Sequence, residues 1–178
     1  MAEPEQTVSS ERVFAGSSFV IRVHRVRLAD GTEAVREVAE APDSVAIVAV
    51  DEDQNLLLVR QYRLSVGREL LELPAGSIKG GDTPLASAQR ELREETGFAA
   101  GELTELGHFY AGPGGMTECL YAFLGTGLTP DPLAPDADER IELVRMGFRE
   151  AVEMARAGGF HDAKTIASLL LAERRVLG

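Results

Sequence analysis

The chain has 178 residues, 44% apolar and 26% charged, which suits one compact domain, or one domain with a small appendage, around a real core. Its formal charge of −11, from 29 Asp and Glu against 18 Lys and Arg, excludes the basic footprint of a nucleic-acid binder or of a protein steered to anionic membranes, and taken alone it argues against a polyanionic ligand. The single cysteine, Cys119, excludes an internal disulfide and a thiolate zinc cluster, and three scattered His make no imidazole cage.

Met1 to Gln6 is acidic and polar, without the basic and apolar regions of a signal peptide, and no apolar run approaches the roughly 18 residues that span a bilayer. A cytoplasmic location is expected. Residues 1–11 read as a frayed tail. Ser18 to Leu28 alternates in part as a strand does, Asp30-Gly31 signals a hairpin turn, and Glu33 to Glu40 alternates again. This small antiparallel β unit must pack on the rest of the chain or on a partner, because so few strands are marginal alone. After the boundary at Pro42-Asp43, Val45 to Val50 is a continuous apolar run suited to a central strand covered on both faces.

Leu56 to Tyr62 returns as a strand after the turn at Asp51–Asn55, and Arg68 to Leu73 is a further short strand stopped by Pro74. Asp82 to Thr96 reads as the clearest helix, with Asp82 able to cap it, Pro84 in its first turn and Gly97 ending it. Strands are expected at Leu103–Tyr110, Glu118–Leu124 and Ile141–Met146. Thr126 to Asp138, rich in Pro, Gly and acids, reads as a long exposed loop. Helices at Arg149–Ala157 and Asp162–Leu177 close the chain. The fold class expected is α/β, an α/β/α sandwich on a mixed β-sheet: residues 1–43 form the tail and antiparallel β unit, and residues 44–178 the main domain.

The chemistry concentrates between Gly76 and Phe98, where a glycine loop runs into a helix bearing Glu91, Glu94 and Glu95. The spacings i, i+3 and i, i+4 put these carboxylates on or beside one helical face, where like charges repel by a few tenths of a kcal/mol per pair. Salt bridges from Arg90 and Arg93 could offset that repulsion, and so could a hard divalent cation, which takes oxygen ligands together with substrate phosphates.

Gly76, Arg90, Glu91, Leu92, Glu94, Glu95, Gly97 and Phe98 resemble the Nudix box, G-x5-E-x7-R-E-U-x-E-E-x-G-U, with Asp82 standing where the family has Glu. The resemblance implies Mg²⁺-dependent hydrolysis of a nucleoside diphosphate derivative, with Mn²⁺ as a substitute. It implies Glu91 and Glu95 as main metal ligands, Glu94 as a supporting ligand or orienting catalytic group, and the backbone carbonyl of Ala75 as a further ligand. Arg60-Gln61-Tyr62-Arg63 with Leu71–Gly76, and Gly112–Glu118 with Pro113 placed 15 residues beyond Phe98, are similar to segments of the ADP-ribose pyrophosphatases. This narrower resemblance implies hydrolysis of ADP-ribose, or related ADP-sugars, to AMP and ribose 5-phosphate. It implies Arg63, Arg36, Glu37, Gly114 and Glu118 as substrate contacts, and Glu139, with Glu142 as runner-up, as the catalytic base on an acidic loop. It also implies a homodimer that exchanges the N-terminal β unit. The alternatives are a GDP-mannose or other nucleoside-diphosphate-sugar pyrophosphatase, and a non-catalytic domain that senses ADP-ribose. Cys119 reads as a buried structural thiol.

Overall fold

The computed structural model describes residues 4–136 and 139–178. Two compact units divide the chain: residues up to Asp43 together with Tyr110–Cys119, and Ser44–Phe109 together with Leu120–Gly178.

The first unit is a three-stranded antiparallel sheet of β1 (Gln6–Ala15), β2 (Val20–Arg27) and β3 (Glu33–Glu40), in the order β1-β2-β3. The hairpin at Asp30-Gly31 is closed by the Gly31 N–H on the Leu28 carbonyl at 2.9 Å, with Gly31 at φ 85°, the left-handed region that glycine enters without steric cost. The frayed tail expected for residues 1–11 is corrected from Gln6 onward, since β1 pairs with β2 from Gln6↔Arg27 to Ala15↔Val20. All ten residues of β1 are exposed, so main-chain pairing makes the strand and no face of it carries a burial pattern.

The second unit is built on a sheet ordered β10-β5-β4-β9-β8, with β6 joined to β5 and β7 to β4. Its strands are β4 (Ser44–Val50), β5 (Asn55–Arg63), β6 (Arg68–Glu72), β7 (Ala75–Ser77), β8 (Phe98–Tyr110), β9 (Cys119–Pro130) and β10 (Ile141–Gly147). β4 runs parallel to β9 and antiparallel to β5 and β7, so the sheet is mixed. Every residue of β4 is buried, as its unbroken apolar run predicts. Val48 and Val50 pack with Leu56 and Leu58 under α2 (Phe148–Arg156) and α3 (Ala163–Leu177). Val45, Ile47 and Ala49 pack with Leu57 under Ala88 and Leu92 of α1 (Pro84–Thr96). Helices therefore cover both faces, which is the expected α/β/α sandwich.

Three local readings are corrected. The stretch from Thr126 to Pro130 continues β9, because its pairing outweighs the Gly and Pro content. The rest of the expected loop is described as far as Asp136, and Ala137 and Asp138 lie outside the described residues. β8 begins at Phe98, five residues before the expected start at Leu103, where the Gln89 side-chain amide donates to the Ala100 carbonyl at 3.1 Å. The cap of α1 is Thr83, whose hydroxyl accepts the Ala86 N–H at 3.2 Å, so Asp82 lies one residue outside. Among the described residues no helix is long and apolar enough to cross a membrane.

Candidate active site

The glycine loop and α1 bring the acids together. Gly97 ends the helix in the left-handed region at φ 79°, its N–H donating to the Arg93 carbonyl at 3.1 Å. Ala88 and Leu92 anchor one stripe of α1 in the core, which leaves Glu91 and Glu95 buried at 6% and 9% exposure beside it. Gly76 in β7 lies directly against the Glu91 carboxylate, and a Cβ there would overlap it. The glycine of the motif is therefore a steric requirement of the acid fifteen residues on.

Charge is compensated unevenly across this face. Arg90 Nη1 donates to Glu91 Oε1 at 2.6 Å and to Glu94 Oε2 at 2.7 Å, and Nη2 reaches the Ser77 carbonyl at 3.2 Å. One arginine thus offsets the expected repulsion, while Arg93 instead pairs with Asp131 at 3.1 Å. The buried Nε of Arg90 has no hydrogen-bond partner, and the Asp82 carboxylate lies 3.9 Å from it. Burial raises the Glu91 carboxyl above its ordinary range against the pull of Arg90.

Glu95 has no ion-pair partner among the described residues. Its Oε2 accepts the Ala75 N–H at 2.9 Å. Burial, opposed by that hydrogen bond and reinforced by the charges of Glu139 and Glu91, pushes it up to about 8.

An open cleft of about 530 Å³ is lined by Glu94, Glu95 and Glu139 together with Arg60, Tyr62 and Arg140, while Glu91 is not part of its wall. Glu142, also in the wall, stands across from Arg60 in the β10–β5 register and pairs with its Nε at 3.3 Å. Arg63 does not line the cleft: its Nε and Nη2 donate to Glu72 at 2.8 and 2.7 Å. The remaining expected contacts belong to the other unit. Arg36 Nε donates to Glu5 at 3.1 Å, Glu37 is exposed, and Glu118 is half-buried. Gly114 sits in an exposed turn closed by the Met116 N–H on the Gly112 carbonyl at 2.9 Å.

Among the described residues, no group of three Asp, Glu, His or Cys side chains stands ready-made around a metal position. The donor set nonetheless fits a hard cation: the groups are carboxylates, and Glu95, buried beside Glu91 and Glu139, is the acid that Arg90 leaves uncompensated. The sequence reading missed Glu72, Asp162, Lys164 and Thr165, which form a polar assembly behind this site, Glu72 and Thr165 buried and Asp162 and Lys164 half-buried. The available signal was Glu72 itself, an acid between two leucines in a strand stopped by proline.

A family model described as NUDIX domain matches residues 40–169. The chain is similar to an ADP-ribose pyrophosphatase of Bacillus subtilis, 33% identical over 163 residues, covering 90% of this chain and 88% of the relative. It is similar to a methanol dehydrogenase activator of Bacillus methanolicus, 30% identical over 167 residues, covering 93% and 90%. It is also similar to an ADP-ribose pyrophosphatase of Mycobacterium tuberculosis, 39% identical over 158 residues, covering 88% and 76%. A solved structure described as an ADP compounds hydrolase superposes with a TM-score of 0.89 at 24% identity, over 100% of this chain and 97% of that one. On the match across the box and its flanking sheet, the chain belongs to the NUDIX domain family.

Proposed function

We propose that the protein is a hydrolase that cleaves the pyrophosphate bond of ADP-ribose, or a related ADP-sugar, to AMP and ribose 5-phosphate, with Mg²⁺ as its resident cation and Mn²⁺ as a substitute. The observation that carries the reading is that Glu94, Glu95 and Glu139 line one cleft together with Arg60 and Tyr62, so that acids, a guanidinium and an aromatic ring border the same space. Two of the relatives named above are ADP-ribose pyrophosphatases.

In this reading Glu91 and Glu95 hold the cation, with Glu94 and the Ala75 carbonyl in support. When bound, the cation neutralises the diphosphate and lowers the pKa of a nearby water. Glu139 accepts the proton of the attacking water. The water oxygen bonds to one phosphorus, the bridging P–O bond breaks, and the second phosphate leaves. Glu142, which pairs with Arg60, is the runner-up for that role. Arg63, Arg36, Glu37, Gly114 and Glu118 remain the proposed substrate contacts, Arg63 being the one that would have to leave its fork on Glu72 to reach the cleft. A cytoplasmic setting belongs to the same reading.

Purified protein with Mg²⁺ is expected to release AMP from ADP-ribose, and more slowly GMP from GDP-mannose. Faster turnover of GDP-mannose would transfer the assignment to that sugar nucleotide, and no release from any nucleoside diphosphate sugar would overturn it.

The reading includes a homodimer that exchanges the N-terminal β unit. What supports it is the first unit itself, a three-stranded sheet whose β1 leaves Val13 and Phe14 54% and 50% exposed. Sedimentation is expected at twice the 19.1 kDa chain mass, and a monomer at micromolar concentration would contradict it.

A further inference from the structure

The segment carrying Ala75 is clamped from three sides. From β4, the Ile47 N–H donates to the Pro74 carbonyl at 2.9 Å. From α1, Glu95 accepts the Ala75 N–H at 2.9 Å. From the first turn of α3, Thr165 Oγ1 accepts the Leu73 N–H at 2.9 Å.

Thr165 is wholly buried, and its hydroxyl proton is committed as well, donating to Asp162 Oδ2 at 2.6 Å. The same carboxylate oxygen accepts the Thr165 N–H at 3.1 Å, which caps α3. Lys164 joins Asp162, at 2.9 Å, to Glu72, a carboxylate only 1% exposed that Arg63 grips with two nitrogens.

Burying these charges is a poor route to stability, because desolvation costs several kcal/mol per ion and apolar replacements often do as well. The assembly does have a geometric consequence. Its hydroxyl registers Leu73, Pro74 follows with a fixed φ, and the next N–H is the one that orients Glu95.

We propose that Thr165, held by Asp162, is a positioning residue for the cation site, fixing the Leu73–Ala75 segment and through it the Glu95 carboxylate. This rests on the reading that Glu91 and Glu95 hold a divalent cation. Groups that orient metal ligands are worth about 10–100-fold in metal affinity.

The test is Mn²⁺ binding followed by electron paramagnetic resonance of the free ion, with the thermal midpoint measured alongside. The proteins are the wild type and the variants Glu95→Gln, Thr165→Ser, Thr165→Cys and Thr165→Val. Thr165→Ser keeps the hydroxyl and is expected to bind as the wild type does. Thr165→Val is expected to bind about tenfold more weakly or worse, with Thr165→Cys between. Cys also carries the comparison if Val does not fold, because sulfur donates and accepts only weakly. A role confined to capping α3 would lower the thermal midpoint and leave Mn²⁺ affinity unchanged in both Cys and Val, which overturns the proposal while the cation reading stands. A wild type that binds no Mn²⁺, or a Glu95→Gln variant that binds as tightly as the wild type, overturns the cation reading and the proposal with it.

Discussion

Replacing Glu95 by Gln is expected to lower kcat/KM for ADP-ribose by about 10³-fold, the effect of losing several kcal/mol of charge stabilisation around the diphosphate. The substitution is nearly isosteric, and the amide oxygen of Gln can still accept the Ala75 N–H that Glu95 accepts at 2.9 Å. The fold is therefore expected to survive. The metal-free variant should be more stable than the wild type above pH 8, because it no longer forces a buried carboxylate to ionise beside Glu91 and Glu139. Lower activity with higher alkaline stability is a pair of outcomes that a merely damaged core would not produce. Undiminished turnover would remove Glu95 from the cation site.

The metal-free wild type is expected to lose stability as pH rises from 5 to 9. The Glu95 carboxyl titrates at about 8 in the folded protein, against an ordinary value of 4.5. Below 4.5 both folded and unfolded chains hold the proton, and the contribution is fully present. As pH rises through 8 the folded state must give the proton up, and the contribution is lost, on the order of 5 kcal/mol at most. Glu91, also raised by burial, acts in the same direction. The Glu72 carboxyl is shifted the other way, held low by Arg63 and Lys164 against its burial, so its stabilisation is lost only in acid, below this window. A divalent cation competes with the Glu95 proton. Mg²⁺ should therefore raise the thermal midpoint more at pH 9 than at pH 5. Scans with and without Mg²⁺ across that range check both statements, and a flat metal-free profile would mean that Glu95 is not held protonated.

The −11 charge, which argues against an anionic ligand when read as a sum, carries a different meaning by position. Arg90 ties up Glu91 and Glu94, whereas Glu95 is buried with no ion-pair partner among the described residues and holds its proton, which a bound cation would displace, turning this face into one that accepts phosphate. Most of the other acids lie in exposed loops and strand faces, where they favour solubility.

The sequence alone determined what depends on neighbours along the chain. The buried β4 is legible in six apolar residues, the β2–β3 hairpin in Asp30-Gly31, and α1 with its Gly97 stop in the motif that also carries the family. Those signals are periodicities and turn preferences, which act over a few residues. The tertiary structure alone decided what depends on partners far away. β1 has no buried face to betray it and exists by pairing with β2. β9 runs on through Gly127 to Pro130 because its pairing outweighs local composition. Arg63 turns to Glu72, and Leu73 is held by Thr165 from 92 residues away. The uneven charge balance of the three motif glutamates is of the same kind: helical spacing places them side by side, but the depth to which Leu92 pulls the helix into the core, and the reach of Arg90 to two of them, set which acid stays uncompensated.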